Sequence, residues 1–173
     1  MFQLQKQQST IAHLNIRTEK HGEEDVLAAD VKVEADVTND FLSYLNPTLK
    51  WSLYDKPNSG QGELIKDDHH MPRLRYPSLP ELRWAGKMEK AVFIIHGKKK
   101  ADDLEFEAGV DKLALCCKEG GTVSITFRCA VLPTPEQSGQ LAALLRSETK
   151  VSVREGERAD DPAGEDPADV KKP

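Results

Sequence analysis

Residues 119–131, EGGTVSITFRCAV, decide the fold class. Val123, Ile125, Phe127, Cys129 and Val131 are apolar and alternate with Thr122, Ser124, Thr126 and Arg128. A period of two places successive side chains on opposite faces, so this stretch predicts a strand with one face in a core and the other in water. Glu119-Gly120-Gly121 in front of it predicts a tight hairpin, since glycine enters left-handed backbone conformations without steric cost.

The pattern extends upstream. Leu104, Phe106, Ala108 and Val110 alternate with Glu105, Glu107 and Gly109, whereas Leu113, Leu115 and Cys117 have the opposite parity. A turn or bulge at Asp111-Lys112 reconciles the two halves. Before them, Ala91–Ile95 is apolar at every position and predicts a strand covered on both sides. Near the start, Ala12, Leu14 and Ile16 alternate with His13, Asn15 and Arg17. Val31, Val33, Ala35 and Val37 alternate with Asp30, Lys32, Glu34 and Asp36. With turn chemistry at Gly22 between them, these two runs predict a long antiparallel hairpin, with a bulge where parity slips at Ala28-Ala29.

Helical signals are short. Thr38 or Asn39 can cap a helix to Leu45, and Asn46-Pro47 can start another turn, so that Leu42, Leu45, Leu49 and Leu53 form one apolar stripe. Thr134-Pro135-Glu136-Gln137 is a capping-box arrangement with proline at the first helical position, and Leu141, Leu144 and Leu145 give that helix its buried face. Residues 55–62 read as a loop, the stretch to Pro80 as irregular, and Lys150–Arg154 as a short final strand whose exposed edge would permit dimerisation. The expected fold class is α+β and β-rich: an antiparallel sheet or β-sandwich with two or three short helices and a disordered acidic C-terminal tail.

The tail is set by composition. From Glu155 the chain reads EGERADDPAGEDPADVKKP, with Val170 as its one sizeable apolar side chain, too little to offset the entropy of ordering it. Seven acids there face three bases, so −4 of the chain's −5 belongs to residues 155–173 and residues 1–154 net to −1. One domain over 1–154 followed by that tail is the expected organisation. The N-terminus lacks the apolar core of a secretory signal, and no apolar run approaches a membrane span. Three cysteines, two of them adjacent at Cys116-Cys117, make no disulfide framework, and a cytoplasmic setting is expected.

Motifs for catalysis are missing from the linear sequence. There is no G-x-S-x-G, no phosphate-binding P-loop and no dinucleotide fingerprint. His69-His70 beside Asp67-Asp68, and Cys116, Cys117 and Cys129, lack metal-ligand spacing, so neither metal nor cofactor is expected. An enzyme is not expected either, although a hydrolase with a site assembled from distant residues would be invisible to such a reading.

One constellation stands out. Arg73, Arg75, Arg83, Lys87, Lys90, Lys98, Lys99 and Lys100 are opposed within residues 73–100 only by Glu81 and Glu89, a local +6 in a nearly neutral body. Tyr76 and Trp84 are interleaved with them. Cations that track phosphates, with aromatic faces for unpaired bases, are the elements of single-stranded nucleic-acid binding. A solvated or partner-facing surface is the competing reading.

NIRTEKHGEEDVLAADVKVEADV (15–37) and EGGTVSITFRCAVLPTPEQSGQLAALL (119–145) resemble a group of small uncharacterised proteins encoded by tailed phages and prophages. The resemblance covers most of residues 10–154 and carries no catalytic motif. It implies a phage or prophage setting and transfers no functional residue. The expectation is therefore a non-enzymatic phage-type accessory protein that binds a macromolecule, with single-stranded nucleic acid in phage DNA metabolism as the specific version. The alternative is a protein–protein interaction module, either a virion assembly component or an inhibitor of a host factor. A homo-oligomer is compatible with both, and a membrane partner with neither.

Overall fold

A computed structural model describes residues 2–57 and 69–156. Its strands are β1 (Leu4–His21), β2 (Glu24–Thr38), β3 (Tyr54–Asp55), β4 (Arg73–Leu74), β5 (Leu82–Trp84), β6 (Met88–His96), β7 (Leu104–Cys117), β8 (Thr122–Val131) and β9 (Glu148–Glu155). Three short helices join them: α1 (Leu42–Leu45), α2 (Leu49–Leu53) and α3 (Pro135–Ala143). Strand pairing runs β7-β6-β9-β1-β2-β8, and β8 pairs back with β7. Every one of these pairings is antiparallel, so the expected sheet is closed into a six-stranded barrel. Closure leaves the six strands no open edge over the barrel's height.

A six-stranded barrel is narrow enough for side chains to fill it. Ile11, Val31, Val33, Phe93, Ile95, Val110, Phe127, Cys129, Val151 and Val153 are all 2% exposed or less and belong to one core cluster. At one end α1 and α2 close the barrel with Phe41, Leu42 and Leu53, and Phe2 bridges them to the interior by ring contacts with Phe41 and Phe127. At the other end α3 crosses from β8 to β9 and inserts Leu141. The Thr134–Gln137 capping box forms as expected. Leu145, expected in the buried face of that helix, is 42% exposed because α3 has already ended and the chain is turning toward β9.

Several local expectations need correction. The register of β1 with β2 is continuous across Ala28 and Ala29, and the irregularity lies between Ile11 and His13 instead. Ile11 is therefore the buried residue, and Ile16 at the barrel mouth is 40% exposed. Ala28 and Ala29 are both buried; two small side chains fit on opposite faces without a bulge. The expected slip at Asp111-Lys112 is present: register shifts between Asp111 and Ala114, and Lys112 adopts φ 53°. In β6, Ala91, Phe93 and Ile95 are buried but Val92 and Ile94 only half-buried, because the outer wall there has no second layer. Thr38 makes no side-chain cap.

The final strand is longer than expected and central. It pairs with β1 on one side and β6 on the other, so Lys150–Arg154 is not an edge. Past the strand, the Gly156 amide donates to the Lys90 carbonyl at 2.8 Å. Glu155, assigned by composition to the tail expected over 155–173, is thus in the sheet, and residues 157–173 of that tail lie outside the described residues. The first part of the irregular stretch also lies outside them, and the part that follows is well held. The Asn39 side chain donates to the Met71 carbonyl at 2.8 Å, and the Gly120 amide in the β7–β8 turn donates to the Pro72 carbonyl at 2.8 Å.

Tyr54 fastens the helical end to that turn. Its buried hydroxyl lies 2.9 Å from the carbonyls of both Lys118 and Thr122 and accepts the Lys118 amide at 3.1 Å. Burial pushes its ionisation well above the usual tyrosine range. The Lys118 amide also donates to the Thr122 carbonyl at 2.9 Å. Tyr54→Phe, which keeps the ring, therefore leaves chiefly the Lys118 carbonyl without its partner, and a loss of about 1–2 kcal/mol in urea unfolding is expected.

Candidate nucleic-acid interface

The barrel divides the basic stretch among four places. Arg73 and Arg75 sit at the α1–α2 end, and both engage Asp55, at 3.2 and 2.6 Å. Tyr76 follows them, 53% exposed. Lys98, Lys99 and Lys100 lie in the β6–β7 turn, with Lys100 opening a 3₁₀ turn to Asp102. Strand β7 separates that turn from the other end of the barrel, a distance of about 40 Å at ~3.3 Å per residue. Lys90 is exposed on β6. The ten candidate residues therefore do not form one patch.

Three of them do come together. Strand β5 pairs with the last third of β7, Arg83 opposite Ala114 and Trp84 opposite Leu113, and so lies against the barrel wall beside the Lys112 bulge. Arg83, Trp84 and Lys87 line a cleft of about 700 Å³ with Lys32 from β2 and Lys112 from β7. A second cleft of about 300 Å³ adjoins it, shares Lys32, Lys112 and Thr126, and adds His13, Asn15 and Arg128. Together they make a continuous groove across the outer wall. Lys32 and Lys112 were not among the sequence candidates. The parity break at Asp111-Lys112 is the one signal that pointed near them, because a residue at a bulge is turned out of the ladder.

Charge in the groove is unevenly neutralised. Arg128 forks onto Asp111, its Nε 2.7 Å from Oδ1, and also reaches Asp30 at 3.4 Å, which Arg17 meets from the other side at 2.9 Å. This network occupies the acids. The pairs Arg83–Glu81 (3.2 Å), Lys87–Glu89 (2.8 Å) and Lys32–Glu34 (3.3 Å) join exposed side chains, and such pairs are weak and exchangeable. Among the described residues Lys112 forms no ion pair. Four cations thus line one cleft together with Glu81, Asp111 and the half-buried Trp84, which also packs on the core.

Three wall carboxyls are held below their ordinary range: Asp111 by the Arg128 guanidinium, Asp36 by the Ser124 hydroxyl, and Asp103 by the Gly97 amide. Their folded-state pKa values are depressed, so the stability they contribute is complete at neutral pH and is lost as pH falls through about 4 and below. Urea midpoints are accordingly expected to be flat from neutral pH to about 5 and to fall below about 4.

No protein-family model, curated protein or solved structure matches this chain. Function must be argued from the wall itself. Among the described residues no group of three or more His, Cys, Asp or Glu side chains could hold a metal ion, and no helix is long and apolar enough to cross a membrane. His69 and His70 are exposed, Cys116 is exposed, Cys117 half-buried and Cys129 fully buried, all three as free thiols.

Proposed function

We propose that this protein is a phage-type accessory protein that binds single-stranded nucleic acid along the groove formed by β2, β5, β7 and β8. The observation that carries this reading is that Lys32, Arg83, Lys87 and Lys112, from three separate parts of the chain, line one cleft on the outer wall with Trp84. Backbone phosphates take the cations in exchange for their weak surface carboxylate partners, and a base stacks on the exposed part of the indole. Sequence preference is expected to be small, because stacking and phosphate contacts read no base edges.

The test uses the full chain with Trp51→Phe, which leaves Trp84 as the one tryptophan. Titration with an oligothymidylate of about 20 nucleotides should quench its fluorescence, and log affinity should fall against log salt with a slope near −3, about 0.7 for each of four phosphates. Absence of binding at low salt sinks the proposal.

A second reading rests on the hairpin. β1 and β2 stay paired to His21 and Glu24, whereas β2 leaves β8 at Ala29 and β1 leaves β9 at Thr10. Residues 16–28 therefore project as a two-stranded ribbon about 20 Å long. Isolated ribbons of this kind are marginal in water, and a protein partner that adds to an edge would secure it. A virion component or host factor that co-purifies stoichiometrically, and is lost when residues 18–25 are shortened to a tight turn, would favour this reading.

A further inference from the structure

On the barrel wall diametrically opposite β8, strands β1, β6 and β9 bring together a serine, a histidine and an aspartate from distant parts of the chain. His96 Nε2 is 2.8 Å from Ser152 Oγ, and His96 Nδ1 is 3.1 Å from Asp103 Oδ2. The Asp103 carboxylate is itself oriented by the Gly97 amide, which donates to its other oxygen at 2.9 Å. A carboxylate on Nδ1 fixes the neutral ring with its proton there, which leaves the Nε2 lone pair directed at the serine hydroxyl. This is the connectivity of a nucleophile, a general base and an orienting acid.

Two further features surround Ser152. Lys6 adopts a left-handed φ of 46° where the β1–β9 register breaks between Leu4 and Gln7, and its backbone N–H leaves the ladder to donate to Ser152 Oγ at 2.9 Å. Left-handed backbone at a lysine is strained, and such strain concentrates at functional positions. The cross-strand neighbour of Ser152 is Ile94, half-buried on the outer face with Val92 beside it, a small apolar shelf beside the hydroxyl. Lys150 and Arg154 flank the serine at two residues either side on the same face.

We infer that Ser152 is an activated nucleophile that accepts acyl groups from carboxylic esters with a small apolar acyl part. His96 Nε2 takes the hydroxyl proton as Ser152 Oγ bonds to the carbonyl carbon. The Lys6 N–H is then directed at the tetrahedral oxyanion, and the lysine and arginine on β9 favour its charge. Collapse breaks the ester C–O bond, the proton passes from His96 to the departing alkoxide, and an alcohol leaves. Water repeats the sequence on the acyl-serine and releases a carboxylic acid. Ser152 and His96 are the catalytic residues and Asp103 is a positioning residue. The same three side chains fasten the β6–β7 turn to β9, and that structural role by itself requires no reactivity.

The experiment reads reactivity on the full-length protein. A fluorophosphonate probe should give one adduct, mapped by mass spectrometry to the peptide carrying Ser152, and p-nitrophenyl acetate hydrolysis should exceed the buffer rate. Ser152→Ala should remove the adduct and lower hydrolysis at least about tenfold in a protein that remains folded by circular dichroism. The charged groups facing the His96 ring are Asp103 from the turn, Lys150 from β9, Glu105 from β7 and, through Asp103, Lys6 from β1. Asp103→Asn should slow labelling without abolishing it, since the ring loses the carboxylate that orients it. A wild-type protein that takes no probe, takes it at another residue, or hydrolyses the ester as fast after Ser152→Ala overturns the inference. The wild-type adduct map needs no variant to fold.

Discussion

Phe127→Ala is expected to lower the unfolding free energy by about 3–5 kcal/mol, the usual range for removing a fully buried aromatic ring. Phe127 is 0% exposed near the middle of β8, where it faces Val33 across the β2 pairing. Its ring meets Phe2 edge-to-face at 5.5 Å, and Phe2 meets Phe41 at 5.3 Å, so this side chain links the barrel interior to the helices that close one end. A closed barrel collapses poorly onto a cavity, because strand spacing is fixed by hydrogen bonds on both sides of every strand. The cost should therefore lie toward the upper part of the range and depress the thermal midpoint by about 10 °C. Urea unfolding with an unchanged m-value checks it. A loss below about 1 kcal/mol would mean that the end closed by Phe2 and Phe41 does not pack as described.

Phe127 also marks what the sequence makes legible. Its strand, the glycine turn before it and the bulge after Asp111 all follow from short-range alternation, and the structure contains each of them. Closure does not follow. It depends on β9 pairing with both β6 and β1, and nothing in KVSVR states which two strands will flank it. The bulges at Lys6 and Ala12 were hidden for another reason: each shifts parity within a run of polar or small residues, where either register looks acceptable. The groove was half legible. Arg83, Trp84 and Lys87 stand out as a basic-aromatic run, but Lys32 and Lys112 join them from strands remote in the chain, while Lys98–Lys100 go to the far end of β7. Local charge counting cannot separate residues that share a wall from residues that share only a neighbourhood in sequence. The Ser152–His96–Asp103 cluster was invisible to motif reading because 56 positions separate serine and histidine.

Reversing Arg83 and Lys112 together to glutamate is expected to weaken single-stranded DNA binding by about 100-fold or more at low salt, since each lost phosphate contact removes a salt-sensitive contribution and each new carboxylate adds repulsion. Both side chains are exposed and neither belongs to the core, so stability should change by less than about 0.5 kcal/mol. The cleft that now has four cations against Glu81 and Asp111 would have two against four acids. The slope of log affinity against log salt should become shallower by about 1.4, two contacts at ~0.7 each on a single strand. Lys98, Lys99 and Lys100 supply the contrast. They carry more charge in a shorter stretch, and a purely sequence-local account would make them the stronger determinant. They lie about 26 Å from Lys112 along β7, at ~3.3 Å per residue, more than two Debye lengths at about 0.1 M salt, so converting all three to glutamate should change affinity by no more than about threefold. If the triple change abolishes binding and the double change does not, the contact surface is the β6–β7 turn and the groove around Trp84 is not the site. If neither matters while the wild type binds, the cations at Arg73 and Arg75 become the place to look, where Asp55 must first be displaced.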